Sequence, residues 1–259
     1  MGAEETKNAP RWLYPVVYLF FVVIAFLPLY SQEPYANQEI QDVVINLLMV
    51  ASEPYTHLAP LFHAATLLIV FLIVLLGERM GRILAAYMGL NYLVLAFIPT
   101  MGTTQQYGFV IHTGALLASL ILGITWVVVA IRGDLQPSFK RVPPLRYLFL
   151  PLALLAFWSP VSAELQPDFA PVLLLTSPDY GLYFCMTTPV FLFLLILFYP
   201  KVNPFAYKIT AFNGLIYGLV NLMHFFYPAR RWMGVLHLPL LLISAYALLL
   251  PRLPNATRD

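Results

Sequence analysis

Ala59-Pro60-Leu61-Phe62-His63-Ala64-Ala65-Thr66-Leu67-Leu68-Ile69-Val70-Phe71-Leu72-Ile73-Val74-Leu75-Leu76-Gly77-Glu78-Arg79-Met80-Gly81-Arg82 is the stretch that decides the fold. Residues 59–76 carry no formal charge, and the next six residues carry three. A helix needs about 20 apolar residues to cross a bilayer, and a water-soluble turn must follow. The pattern therefore predicts a membrane span closed by a tight, charged turn. The composition of the whole 259-residue chain agrees, because 61% is hydrophobic and only 10% charged. Soluble domains carry roughly 25% charged residues and cannot hide so much apolar side chain. A bilayer can, since lipid is the solvent.

Working outward, eight apolar runs qualify as spans: 12–30, 59–77, 83–99, 108–131, 145–163, 180–199, 207–226 and 232–251. Glu4, Glu5, Lys7 and Arg11 give the chain a mixed-charge start, and Leu29-Tyr30-Ser31-Gln32 is a poor cleavage site. The first run is thus expected to be a retained span and not a secretory signal. The connecting segments alternate in charge. The N-terminus, the 77–82 turn, the 132–146 loop, the 200–208 turn and the C-terminal tail hold twelve of the fourteen Lys and Arg residues. The opposite side holds only Arg230 and Arg231, with Glu33, Glu39, Asp42, Glu53, Glu164, Asp168 and Asp179. The positive-inside rule then puts both termini in the cytoplasm. The Asn255-Ala256-Thr257 sequon falls on that side and is expected to stay unmodified.

The expected fold is an all-α integral membrane protein, one domain over 1–259, built from a duplicated unit. Shifting the chain by 125 residues lays Tyr87-Met88-Gly89-Leu90-Asn91-Tyr92 on Phe212-Asn213-Gly214-Leu215-Ile216-Tyr217. The same shift lays Val110-Ile111-His112 on Val235-Leu236-His237, and Ser119 on Ser244. Repeat one covers 11–132 and repeat two 146–251, with four spans each. An even number of spans gives both halves the same orientation, related by a pseudo-two-fold axis along the membrane normal. Each half also carries an outer apolar stretch, 43–50 or 169–175, too short to cross and expected to lie at the interface.

No Asp, Glu, Lys or Arg lies deep in a span, which speaks against an ion-coupled pump with mid-membrane carboxylates. A G-x-S-x-G elbow, H-E-x-x-H and a P-loop are absent, and no acid, base or nucleophile constellation stands out beyond histidine. The net charge of +2 gives no footprint for nucleic acid, and Cys185, the single cysteine, rules out an intrachain disulfide. The bilayer and other membrane subunits are the expected partners.

The histidines carry the functional reading. His57, His63, His112, His224 and His237 all fall on or near the outer side. His112 and His237 occupy equivalent repeat positions at helix N-terminal ends. The positive helix end disfavours imidazolium, so neutral, coordinating rings are expected. His63 and His224 are supporting ligands at similar depth, with Cys185, Met186 and Met223 as soft neighbours. His57 reads as an exposed loop residue. Against this stands the bland reading, in which a membrane histidine simply hydrogen-bonds a neighbouring helix. Arg230 and Arg231 either neutralise the acidic loops or clamp an anionic ligand. Ser119, Ser244, Tyr92 and Tyr217 would line a ligand path between the halves. Asn91, Asn213 and Asn221 are expected to bond across helices, and Gly89 and Gly214 to allow close helix contact.

Three functions compete. The first is a metal or haem protein, holding haem b or a copper or zinc ion, in electron transfer or metal handling. The second is a small-solute transporter using the axis between halves. The third is a structural subunit of a membrane complex, whose axis would be filled by side chains.

Overall fold

The computed structural model describes residues 10–162 and 164–253. The chain ends, with Glu4, Glu5, Lys7 and the sequon, lie outside the described residues, as does Ala163 at the edge of the fifth run. The protein is mostly helical. In chain order the elements are α1 (Leu13–Ala25), β1 (Tyr30–Ser31), α2 (Ile40–Ser52), α3 (Ala59–Leu76), α4 (Gly81–Phe97), β2 (Met101–Thr104), β3 (Gly108–Ile111), α5 (Thr113–Arg132), α6 (Leu150–Trp158), α7 (Leu173–Thr176), α8 (Phe184–Phe198), α9 (Pro204–Val220) and α10 (Arg231–Leu249). Four helical stretches are long and apolar enough to cross a membrane: Asn37–Phe97, Thr113–Arg132, Pro204–Phe226 and Pro228–Arg252. Leu13–Ala25, Pro144–Trp158 and Phe184–Phe198 are shorter apolar helices.

The opening stretch folds as its charge pattern requires. α3 runs to Leu76, Gly77 leaves helical geometry at φ 57°, and a 3₁₀ turn over Gly77–Met80 leads into α4. The outward face of α3 (Leu61, Leu68, Phe71, Val74 and Leu75) is exposed, which water would penalise and lipid would not. α6 is shorter than the 145–163 run. Ser159 takes the left-handed region at φ 43° and Pro160 follows, and a residue before proline is pushed out of helical space. α9 starts cleanly: Asn203 accepts hydrogen bonds from the amides of Phe205 (3.1 Å) and Ala206 (3.0 Å), with Pro204 in the first turn.

α8 is the centre of the bundle. Every residue from Met186 to Phe198 is buried, with α6, α9 and α10 packed around it. A helix that is apolar all round is stable only when covered all round. α4 and α5 form a second tight unit. A Cβ on Gly89 would meet the Val127 nitrogen at 2.8 Å, so these backbones approach as only glycine permits. Polar bonds pin this unit to the second half. Thr66 joins Tyr87 (2.9 Å) and Tyr180 (2.7 Å), Asn91 donates to the Gly181 carbonyl (3.1 Å), Tyr92 donates to Thr188 (3.2 Å), and Trp126 donates to Thr210 (3.0 Å).

A three-stranded antiparallel sheet, ordered β1-β3-β2, departs from the all-helical expectation. Residues 108–111, read as the start of a span, pair as strand with Met101–Thr104 and with Tyr30–Ser31. α2 lies over it, with Val43, Leu47 and Ala51 burying one helical face against Tyr107 and Val110. The 43–50 stretch therefore covers a small satellite core. Its counterpart in the second half forms only the single helical turn α7.

Candidate functional site

α9 and α10 run back to back through 3₁₀ turns at Asn221–Phe226 and Pro228–Arg230. Glycines set their spacing. A Cβ on Gly214 would meet Ser244 Oγ at 2.3 Å, and one on Gly218 would meet Leu241 Cα at 2.7 Å. Because the two helices form a hairpin, residues flanking its turns come level. His224 lies in the first of those turns and His237 about two helical turns into α10, and their ring centres are 5.1 Å apart with planes 27° apart. Both are buried. His237 Nδ1–H donates to the Met233 carbonyl at 2.5 Å, which fixes the tautomer and leaves Nε2 as a lone-pair donor. His224 Nδ1 is buried with no hydrogen-bond partner.

Soft groups pack on the first turns of α10. Met186, Leu236 and Val161 form a small cluster with Met233, Cys185 and Trp232. Asn221 donates to Cys185 Sγ at 3.2 Å, and Trp232 donates to the Pro160 carbonyl at 2.8 Å. Deeper on the same helices, Asn213, Tyr217 and Ser244 carry buried polar atoms without partners.

The other sequence-selected residues have different partners. His112 caps α5, its Nδ1 accepting from the Ala115 amide at 3.2 Å, so that lone pair is already in use. His63 Nε2–H donates to the Ser177 carbonyl at 3.3 Å, with its ring against Phe157 and Tyr180. His57 is exposed. Sequence reasoning set His237 with His112, whereas the ring contact present pairs it with His224. Position relative to the turn was the available signal. Ser119 is buried in α5, and Tyr92 is buried against α8. Arg230 pairs with Asp42 at 2.6 Å and lies 5.6 Å from the Tyr227 ring centre, while Arg231 is exposed. Of the three asparagines, Asn221 bonds to Cys185 in α8, Asn91 bonds to a carbonyl in the turn before α8, and Asn213 has no partner.

Two features escaped the sequence reading. Asp179, counted only as an outer carboxylate, is buried and accepts from Ser159 Oγ at 2.5 Å. Burial pushes its carboxyl from 3.8 up to about 6, and the Ser159 bond opposes that shift. Arg146, counted only as loop charge, is buried against the C-terminal end of α8, donating to the carbonyls of Ile196 (3.2 Å) and Tyr199. Neither carried a sequence signal beyond its charge.

The arrangement favours coordination over haem binding. A metal–imidazole nitrogen bond is about 2.0–2.1 Å and the ring centre lies roughly 1 Å beyond, so two imidazoles on one tetrahedral ion have centres about 5 Å apart. The His224–His237 spacing of 5.1 Å is compatible with that value and is equally the spacing of two packed aromatic rings. A haem sandwiched between two imidazoles holds them on opposite sides of its iron, with ring centres about 6 Å apart by the same bond lengths, which is longer than the 5.1 Å here. Among the described residues no three His, Cys, Asp or Glu side chains come together, so the pair would share an ion with water or thioether ligands. Compared with protein-family models, with curated proteins and with solved structures, the chain matches none of them.

Proposed function

We propose that this is a multi-pass membrane protein that binds a copper or zinc ion between His224 and His237, near its outer surface, and acts in metal handling or electron transfer. The scaffold in this reading is eight spans in two parallel four-span halves with both termini cytoplasmic. The observation that carries the metal reading is the buried ring pair, 5.1 Å apart, with the His237 tautomer fixed by the Met233 carbonyl and the His224 Nδ1 unpartnered. A backbone carbonyl bound to the second ring nitrogen is the usual outer support of a metal-ligating histidine.

The test is metal loading of the detergent-purified full chain. Metal-free protein is titrated with Zn²⁺ or Cu⁺ against a chromogenic chelator, and bound metal is measured by elemental analysis. One ion per chain is expected, with affinity reduced at least about tenfold in His224→Ala or His237→Ala and unchanged in His57→Ala. Sub-stoichiometric metal, or equal affinity in all three variants, would overturn the reading.

A transport reading has its own support, the partnerless polar atoms of Asn213, Tyr217 and Ser244 further along α9 and α10. Solute flux in liposomes that is abolished by Asn213→Leu, with metal binding intact, would favour it.

A further inference from the structure

At the end of the bundle opposite the histidine pair, the loop between α5 and α6 meets the α8–α9 turn around a cavity of about 240 Å³. Four cationic side chains, Lys140, Arg141, Arg146 and Lys201, line it with a single carboxylate, Glu78. Two of the cations have structural work. Lys201 pairs with Glu78 at 2.9 Å, and Arg146 caps the carbonyl end of α8. The other two, Lys140 and Arg141, are exposed at the rim and make no ion pair among the described residues. Lys140 and Arg141 thus bring positive charge that the cavity's one carboxylate, already paired with Lys201, does not balance. At this volume it suits a headgroup-sized ligand and not a larger drug-sized one.

The turn that supplies Arg146 to the cavity also carries exposed apolar side chains. Leu145 and Leu148, on either side of Arg146 in the turn preceding α6, are 62% and 68% exposed. Exposed cations and exposed leucines within one short segment, residues 140–148, match a ligand with an anionic head and an apolar tail. On the topology proposed above, this end faces the cytoplasmic leaflet, where anionic lipids attract basic segments. Free phosphate would use the charges and leave Leu145 and Leu148 uncovered.

We propose that this cavity binds the phosphate headgroup of an anionic phospholipid, with Lys140 and Arg141 as its contacts and the acyl chains along Leu145 and Leu148. The site is independent of the histidine pair. Each Lys or Arg near a membrane surface contributes about 1 kcal/mol to anionic lipid binding, a factor of about five.

The experiment titrates detergent-purified full-length protein with fluorescent short-chain phosphatidylglycerol. Phosphatidylcholine is the zwitterionic control and inorganic phosphate the competitor. Saturable binding that prefers phosphatidylglycerol is expected. Lys140→Gln with Arg141→Gln should weaken it roughly 25-fold. Arg79→Gln with Arg132→Gln, two exposed cations on the same face outside the cavity, should leave it within about twofold. Equal binding of the two lipids, or equal loss in both double variants, would show diffuse surface attraction and overturn the proposal. Displacement by inorganic phosphate as effective as by unlabelled phosphatidylglycerol would assign the cavity to free phosphate and overturn the lipid assignment. Both double variants change exposed side chains, and matching melting curves verify that neither has unfolded.

Discussion

Replacing Asp179 by Asn is expected to stabilise the protein at neutral pH and to leave it unchanged in acid. Asp179 lies in the turn before α8, only 9% exposed, with Ser159 Oγ 2.5 Å from its carboxylate. Burial raises its carboxyl from 3.8 to about 6 in the folded protein. A raised acid value means that the protonated form favours folding. Asp179's contribution is therefore fully present below about pH 4 and is lost as pH rises through about 6. The two-unit difference corresponds to about 3 kcal/mol of penalty once the group is ionised. Asn keeps the shape and the acceptor for Ser159 and never ionises. Thermal melting of the detergent-purified chain, followed by tryptophan fluorescence from pH 4 to pH 8, reads the difference between variant and wild type. That difference should be near zero at pH 4 and roughly 6–12 °C in favour of Asn at pH 7.5. The comparison cancels the titration of every other carboxylate. An Asn variant that melts at or below wild type at pH 7.5 would refute the burial argument.

Further expectations follow from packing and charge. Gly81→Ala places a Cβ 1.8 Å from the Leu135 carbonyl oxygen, a backbone atom that cannot swing away, so lost expression or a markedly lower melting temperature is expected. Gly214→Ala meets the Ser244 hydroxyl at 2.3 Å, and adding Ser244→Gly should restore part of the loss, measured by the same melt. Asn213→Leu with Ser244→Ala removes three buried partnerless atoms and should raise the melting temperature, unless water or solute occupies that seam, in which case it should fall. Arg230→Gln breaks a partly exposed ion pair with Asp42 and should cost under about 1 kcal/mol. If Arg230→Gln with Arg231→Gln leaves metal affinity unchanged, neither arginine clamps a ligand at the histidine pair.

Hydropathy located the helices because eighteen uncharged residues followed by Glu78 and Arg79 have few alternatives. It could not order them from lipid to core. α3 and α8 read alike, yet α3 exposes Leu61 and Phe71 while α8 is covered from Met186 to Phe198. In a bilayer both surroundings are apolar, so side-chain hydrophobicity does not discriminate between them. The β-sheet was missed for a related reason. Gly108-Phe109-Val110-Ile111 continues without a charge into α5, and four residues are too few for alternation to outweigh a long apolar run. Glycines were more legible. Gly89 and Gly214 both lie where a Cβ would strike the neighbouring helix. The candidate site was half legible. All four selected histidines were named, but a repeat alignment compares equivalent positions in two halves, whereas contact arises between neighbours in a hairpin. His224 and His237 meet for that second reason.

The distribution of unsatisfied polar atoms separates a packing accident from a site. Among the described residues nine buried side-chain nitrogen and oxygen atoms lack partners, and six of them, on Tyr207, Asn213, Tyr217, His224 and Ser244, belong to the α9–α10 hairpin. Each such atom costs about 1–3 kcal/mol when nothing fills the vacancy. Elsewhere the protein handles the same problem with bonds: Thr66, Tyr87 and Tyr180 satisfy one another, and Thr188 and Thr210 accept from Tyr92 and Trp126. Those contacts are closed by their own hydrogen bonds, while the closely packed hairpin keeps polar atoms unbonded. A metal between the imidazoles would satisfy His224 but cannot reach Asn213 or Ser244, which lie at least two helical turns deeper. A metal there would account for the outer end of the hairpin alone and would leave Asn213, Tyr217 and Ser244 without partners. The metal and transport readings rest on different atoms of one seam, so His224→Ala and Asn213→Leu test them separately.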